Sequence, residues 1–285
     1  MKSIKICVAA IMAGVVCIAV MLGILSAAIY AENESGNSFI GLMYHQVLKD
    51  ESRAGKYIIT PNELESDLAY LSGNGYVSVL PSQLVKIREQ GGRLPEKTVV
   101  ITFDDGYETG LYYVLPLLKK YGMKAVINVV GSYTDEYSRI NEEGKHLSYA
   151  YLTWNEIKKL SDSGYVEIGN HTYDMHSNNG ERNGCARKEN ESDEQYRTVL
   201  YEDVARLSDK LQQVTGKRPV AFAYPFGSLC EGSAEIIGSA GISVFMTCCE
   251  QPCSMNRNGR IVINRYNRES GRSAQQICEE FNNAF

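Results

Sequence analysis

Apolar runs of strand length alternate with amphipathic stretches of helical length through most of the 285 residues. The strand-like runs fall at 39–45, 77–80, 98–103, 125–130, 166–169, 220–224, 243–247 and 261–264. Helical patterns lie between them. One runs ELESDLAYL behind Thr60 and Pro61; others cover about 81–90, 108–121, 153–163, 192–215, 233–240 and 273–281. A threonine hydroxyl accepts from an otherwise orphaned amide and a proline has no amide to satisfy, so Thr60 and Pro61 read as N-cap and first helical residue. Gly122, Gly164, Gly216 and Gly241 each follow a helix, where a left-handed residue is expected. Strand–helix alternation implies a parallel sheet. About eight such units in roughly 245 residues suit a single (β/α) barrel, with an open doubly wound sheet as the other solution. Residues 131–152 and 177–192 are left as long loops.

The chain ahead of the first strand has a different character. Lys2 and Lys5 precede an uncharged, mostly apolar stretch from Ile6 to Ala31, and the first acid is Glu32. The stretch is long enough to span a bilayer, which takes about 20 residues, and Ser26, Ala27 and Ala28 also allow signal cleavage. Residues 1–31 are therefore expected to be a transmembrane anchor or signal peptide, 32–38 (ENESGNS) a linker and 39–285 one domain. The lysines stay cytoplasmic under either reading. That places the domain outside the cell membrane, on a single-pass anchor or secreted. Composition, at 44% hydrophobic and 22% charged, is ordinary for a globular chain. A net charge of −5 argues against nucleic acid as a partner, since phosphate binding relies on clustered Lys and Arg. Cys7 and Cys17 lie in the apolar leader. Six further cysteines permit disulfides in an exported domain, and the group Cys248, Cys249, Cys253 lacks the paired spacing of a structural zinc site.

The chemistry collects where strands end. In KTVVITFDDGY a β-rich run stops at Asp104 and Asp105. Two buried carboxylates need a cation or counter-charge. Neighbours in an extended chain point apart, so one acid can hold a metal while the other faces water or substrate. A turn or N-cap pair is the plainer alternative. In VEIGNHTYDMHS, His171 and His176 are five apart, about 140° on a helix, so only a folded-back loop would aim both at one point. Two histidines and a carboxylate form a common catalytic zinc set with a position left for water, and the same set holds Fe(II) in oxygenases. Asp174 stands between them, placed to orient an imidazole. In RPVAFAYPFG, Pro225 fixes the turn and the Tyr224 amide is a candidate oxyanion donor. In FIGLMYHQV, His45 ends the first strand and would join the same rim, where a general acid is the unfilled role. Tyr133, Tyr137, Tyr149 and Tyr151 crowd the 131–152 loop, either as the wall of a glycan groove or as packing onto the barrel. His146 reads as a surface residue and Trp154 as a helix anchor.

FDDGY, the two histidines and YPFG, in that order, resemble the polysaccharide deacetylases with a NodB homology domain (carbohydrate esterase family 4) across nearly all of 39–285. MYHQV ahead of FDDGY makes the poly-N-acetylglucosamine deacetylase subgroup the closest likeness. The resemblance implies an irregular (β/α) barrel, often of seven strands, with Asp104 as catalytic base and Asp105, His171 and His176 as metal ligands. It also implies hydrolysis of N-acetyl groups on an acetylated cell-envelope glycan, with a divalent metal, in first place Zn²⁺, as cofactor. Two departures stand out. No histidine follows His176, so the acid role of the family's C-terminal histidine passes by resemblance to His45. The usual arginine near YPFG is absent, and Arg265 in INRYNR is the candidate to orient Asp104, with a solvated surface arginine as the plainer alternative. An inactive membrane-anchored carbohydrate receptor and a metal-dependent amidase on another substrate are the competing functions.

Overall fold

The computed structural model describes residues 38–140, 146–178, 180, 182–255 and 259–283. The expected leader and all of the linker but Ser38 lie outside them. Among the described residues no helix is long and apolar enough to cross a membrane.

The expected alternation becomes a nearly closed parallel ring. The strands of the described residues, in chain order, are β1 (Ser38–Tyr44), β2 (Gln46–Val47), β3 (Ile58–Ile59), β4 (Val77–Ser78), β5 (Thr98–Phe103), β6 (Ala125–Val129), β7 (Val166–Asn170), β8 (Ala221–Ala223), β9 (Val244–Met246), β10 (Cys253–Ser254), β11 (Ile261–Ile263) and β12 (Arg265–Asn267); β2 and β3 pair apart from the ring. The ring runs β1–β5–β6–β7–β8–β9–β11, and β12 returns beside β1. Asn264 breaks the last strand in two, so β11 pairs with β9 while β12 pairs with β1 at Gly41↔Arg265. A Cβ on Gly41 would lie 2.4 Å from the Asn264 carbonyl, so only glycine lets the closing strand come this near.

Two sequence expectations change. The run 77–80 contributes only β4, a two-residue partner beside the start of β5 and not a member of the ring. The first part of the 131–152 loop forms a helix, Gly131–Tyr137. Its sequence GSYTDEY has weak intrinsic helix preference, and tertiary bonds decide the matter. The Gly131 and Ser132 amides donate to the Thr172 and Tyr173 carbonyls. Asp135 accepts from Trp154 Nε1 at 2.8 Å and from Lys210 Nζ at 2.6 Å. The other helices match the expected pattern, among them Pro61–Gly73, Trp154–Asp162 and Asp193–Thr215. Thr60, Thr153 and Ser192 cap them, each paired with Glu or Gln three residues on.

Strand alternation divides the core. Ile40, Leu42, Val99, Ile101, Phe103, Ile127 and Val129 face the helices, with Leu64, Leu68, Leu118, Ile157 and Leu160 against them. The intervening positions turn inward. Toward the strand starts these are apolar: Val100, Val126, Ala221, Val244 and Ile261. Continuing in steps of two toward the C-terminal ends, the inward positions become Thr102 on β5 and Asp104 directly after it, Asn128 on β6, His171 after β7, and Arg265 on β12. Period-two geometry thus gathers the polar residues at one end of an apolar barrel.

Candidate metal and hydrolytic site

Asp105, His171 and His176 meet at this rim. The two Nε2 atoms converge on Asp105 Oδ1, at 3.5 Å from His171 and 3.1 Å from His176, and the three ligand atoms lie within 4.8 Å of one another. Asp105 takes a left-handed conformation, φ 70°, which aspartate tolerates better than most residues. The chain therefore turns sharply after Asp104 and sends the two carboxylates different ways. His171 Nδ1 lies 2.8 Å from the Ala223 carbonyl. A carbonyl only accepts, so Nδ1 carries a hydrogen, and Nε2 is the nitrogen turned toward Asp105. His176 Nδ1 lies 3.3 Å from the Tyr133 hydroxyl. One carboxylate and two imidazoles with fixed outer nitrogens fit a divalent cation with room for a further ligand. Burial pushes the Asp105 carboxyl up, but hydrogen bonds from the two imidazoles outweigh it and hold the group well below the usual range.

Asp104 points elsewhere. Its Oδ1 accepts from Arg265 at 2.8 Å and from Asn128 Nδ2 at 2.7 Å, and both members of the ion pair are buried. Burial raises its pKa, yet the Arg265 charge and then His171 bring it down to about 2. Arg265 is itself fixed by the Thr247 carbonyl at 2.9 Å and Thr102 Oγ1 at 3.1 Å. Arg265 therefore orients Asp104, and the solvated-arginine alternative is excluded.

Asp104, Asp105, His171 and His176 share a cavity of about 610 Å³ with His45, Tyr57, Tyr107, Phe226 and Cys248 on its walls. The His45 ring lies 4.8 Å from that of Tyr57, tilted by 59°, and its buried Nδ1 has no protein partner. Burial is the main influence on its imidazole and favours the neutral form, against the pull of Asp105 and Asp104. Phe226 holds a left-handed conformation, φ 58°, with its exposed ring 4.6 Å from that of His176.

Two expected roles are corrected. Tyr224 lines the cavity, but its amide donates to the Met246 carbonyl at 3.2 Å and so is not a free oxyanion donor. Asp174 is exposed and orients neither imidazole; Ala223 and Tyr133 do that. The tyrosine-rich loop divides between its two readings. Tyr151 packs among Tyr107, Tyr133 and Tyr137, Tyr133 reaches the site, and Tyr149 stays exposed beneath Arg53. The six described cysteines are free thiols.

Asn128 and Phe226 are not singled out from the sequence, and Tyr133 only as one of four tyrosines in its loop, with no link to His176. Asn128 leaves a readable trace as the one polar residue inside the apolar run AVINV. Tyr133 and Phe226 leave none of that kind, because their roles depend on where two loops meet.

Comparison with known proteins agrees with this geometry. The family model described as polysaccharide deacetylase matches residues 91–245. That range spans Asp104, Asp105, His171, His176 and Tyr224; His45 and Arg265 lie outside it. The poly-β-1,6-N-acetyl-D-glucosamine N-deacetylase of Escherichia coli K12 is 27% identical over 231 residues, covering 74% of this chain and 34% of the relative. The chain thus spans about a third of that relative's length. Among solved structures, a de-N-acetylase from Aggregatibacter actinomycetemcomitans superposes with a TM-score of 0.73 at 26% identity, over 85% of this chain and 99% of that one. IcaB from Ammonifex degensii gives a TM-score of 0.68 at 26% identity, over 86% of this chain and 97% of that one. With more than half its length matched by the family model, and with the two acids and two histidines of that family gathered at one rim, the chain belongs to the polysaccharide deacetylase family.

Proposed function

We propose that the protein is a metal-dependent N-deacetylase that removes acetyl groups from an N-acetylglucosamine-containing polysaccharide of the cell envelope and releases acetate. The observation that carries this reading is the separation of the paired acids: Asp105 joins the two imidazoles while Asp104 is held by Arg265. The names of the relatives, which act on poly-β-1,6-N-acetylglucosamine, support the substrate class. The intact constellation speaks against a purely carbohydrate-binding role.

Asp105, His171 and His176 would hold the cation, in first place Zn²⁺. When bound there, a divalent cation supplies Lewis acidity that polarises a carbonyl and acidifies water. Asp104 takes the proton from the water that attacks the acetamide carbon. Arg265 and Asn128 keep this carboxylate ionised and fix its aim, at the expense of basicity. The C–N bond then breaks, and His45 gives a proton to the departing sugar amine. Because burial favours neutral His45, it must take up a proton during the cycle before it can give one. The apolar run from Ile6 to Ala31 behind two lysines supports a location outside the cell membrane, anchored or released.

The test is acetate release from purified wall and exopolysaccharide side by side, each with and without chelator. Chelator-sensitive release from a glucosamine polymer is expected. Glycan binding without acetate from either polymer would instead establish a receptor.

A further inference from the structure

The loop bearing His171 and His176 is fastened from behind by the helix Asp193–Thr215. Asp203 on that helix accepts the Tyr173 amide on Oδ1 at 2.7 Å and the Asp174 amide on Oδ2 at 2.8 Å. The preceding amide, Thr172, donates to Asn170 Oδ1 at 2.8 Å, and the following one, Met175, to Thr172 Oγ1 at 3.2 Å. Asn170 is tied in turn to the same helix, donating to the Val204 carbonyl at 2.9 Å and Ser208 Oγ at 3.0 Å. Four successive amides, 172–175, therefore end on side chains and none on a neighbouring strand. Within them Thr172 is held at φ 72°. A β-branched residue there is strained by about 1–3 kcal/mol and stays only where its surroundings fix it. Asp203 supplies two of the four bonds with one charged group, the strongest kind of fastening available to a loop amide.

We propose that Asp203 is a positioning residue of the metal centre, its carboxylate setting the fold-back that brings the His171 and His176 Nε2 atoms to one point. The inference rests on the reading that Asp105, His171 and His176 bind a divalent cation. Residues that orient ligands in this way typically contribute about 10–100-fold to metal affinity.

The experiment titrates metal-free wild type and Asp203→Asn with Co²⁺, following visible absorption and chelator competition, beside thermal melting of the metal-free proteins. The expected result is Co²⁺ affinity lower by about 10–100-fold in a metal-free protein that still melts cooperatively above the titration temperature. A purely structural role would lower the melting temperature and leave Co²⁺ affinity at the wild-type value, which overturns the proposal. Should Asp203→Asn not fold, Asp203→Glu keeps both acceptor oxygens but displaces them by a methylene. Weakened Co²⁺ binding by folded Asp203→Glu supports the proposal, and wild-type binding overturns it. His171→Ala serves as the control that must lose Co²⁺. A wild-type protein without Co²⁺ absorption would instead fail the metal reading itself, and the positioning role with it.

Discussion

Arg265 donates to Asp104 Oδ1 across 2.8 Å, joining residues 161 positions apart inside the barrel. The two strands that carry them, β5 and β12, lie on either side of β1, so ring closure itself creates the pair. A buried charge stripped of its partner is costly. Arg265→Met is expected to lose about 3–5 kcal/mol of stability in urea unfolding and most of the activity. A loss below about 1 kcal/mol would show that the pair is not what keeps Asp104 buried and ionised.

Asp104→Asn keeps the hydrogen-bonding shape but cannot take a proton. Turnover should fall by about 10²–10⁴-fold while one divalent cation per chain still binds, read by acetate release and metal analysis on the same sample. Wild-type turnover in this variant would move the base elsewhere.

Tyr133→Phe removes the hydroxyl that faces His176 Nδ1 and donates to the His176 carbonyl at 3.0 Å. Metal affinity should drop by about 10-fold, by chelator competition. No change would leave His176 oriented by Phe226 packing alone.

Gly169→Ala would place a Cβ 2.0 Å from Asn128 Oδ1 and push that side chain off Asp104. Soluble protein with lowered melting temperature and reduced turnover is expected, with a stability loss of about 1–3 kcal/mol. Unaltered melting and turnover together would mean that Asn128 does not hold Asp104.

Asp203 gives a pH signature. Burial is the main influence and raises its pKa to about 6, against the hydrogen bonds from the Asp174 and Tyr173 amides. The native state therefore keeps a proton that the unfolded chain releases near pH 4. Its contribution is fully present below the unfolded pKa and is lost as pH rises through about 6. Wild type should lose stability relative to Asp203→Asn between about pH 4 and 6, by up to about 2–3 kcal/mol in paired unfolding measurements. A constant difference across that window would refute the assignment.

Much of this site is legible in the sequence, because strand ends are marked by composition and period-two alternation then fixes which residues turn inward. That rule, with a five-residue spacing that excludes a helix, makes FDDGY and the histidine pair candidates; their assignment as base and metal ligands comes from the resemblance to the deacetylase family. Arg265 was visible as a candidate, but its burial depends on the break at Asn264 and the approach allowed by Gly41. The Tyr224 amide was misjudged because its partner, the Met246 carbonyl, belongs to a strand 22 residues on. Asp174 was misjudged because adjacency in a loop says little about direction; its amide turns to Asp203 and its carboxylate to solvent. The helix Gly131–Tyr137 is held by bonds from the loop after β7 and from Lys210, which no local pattern announces.

The most direct measurement titrates metal-free protein with Zn²⁺ while following acetate release from an N-acetylglucosamine oligomer. Release should be absent without metal and rise to a plateau at a single equivalent per chain, with His171→Ala failing to recover. Full-rate release by the metal-free protein would contradict the convergence of Asp105, His171 and His176 on one catalytic ion.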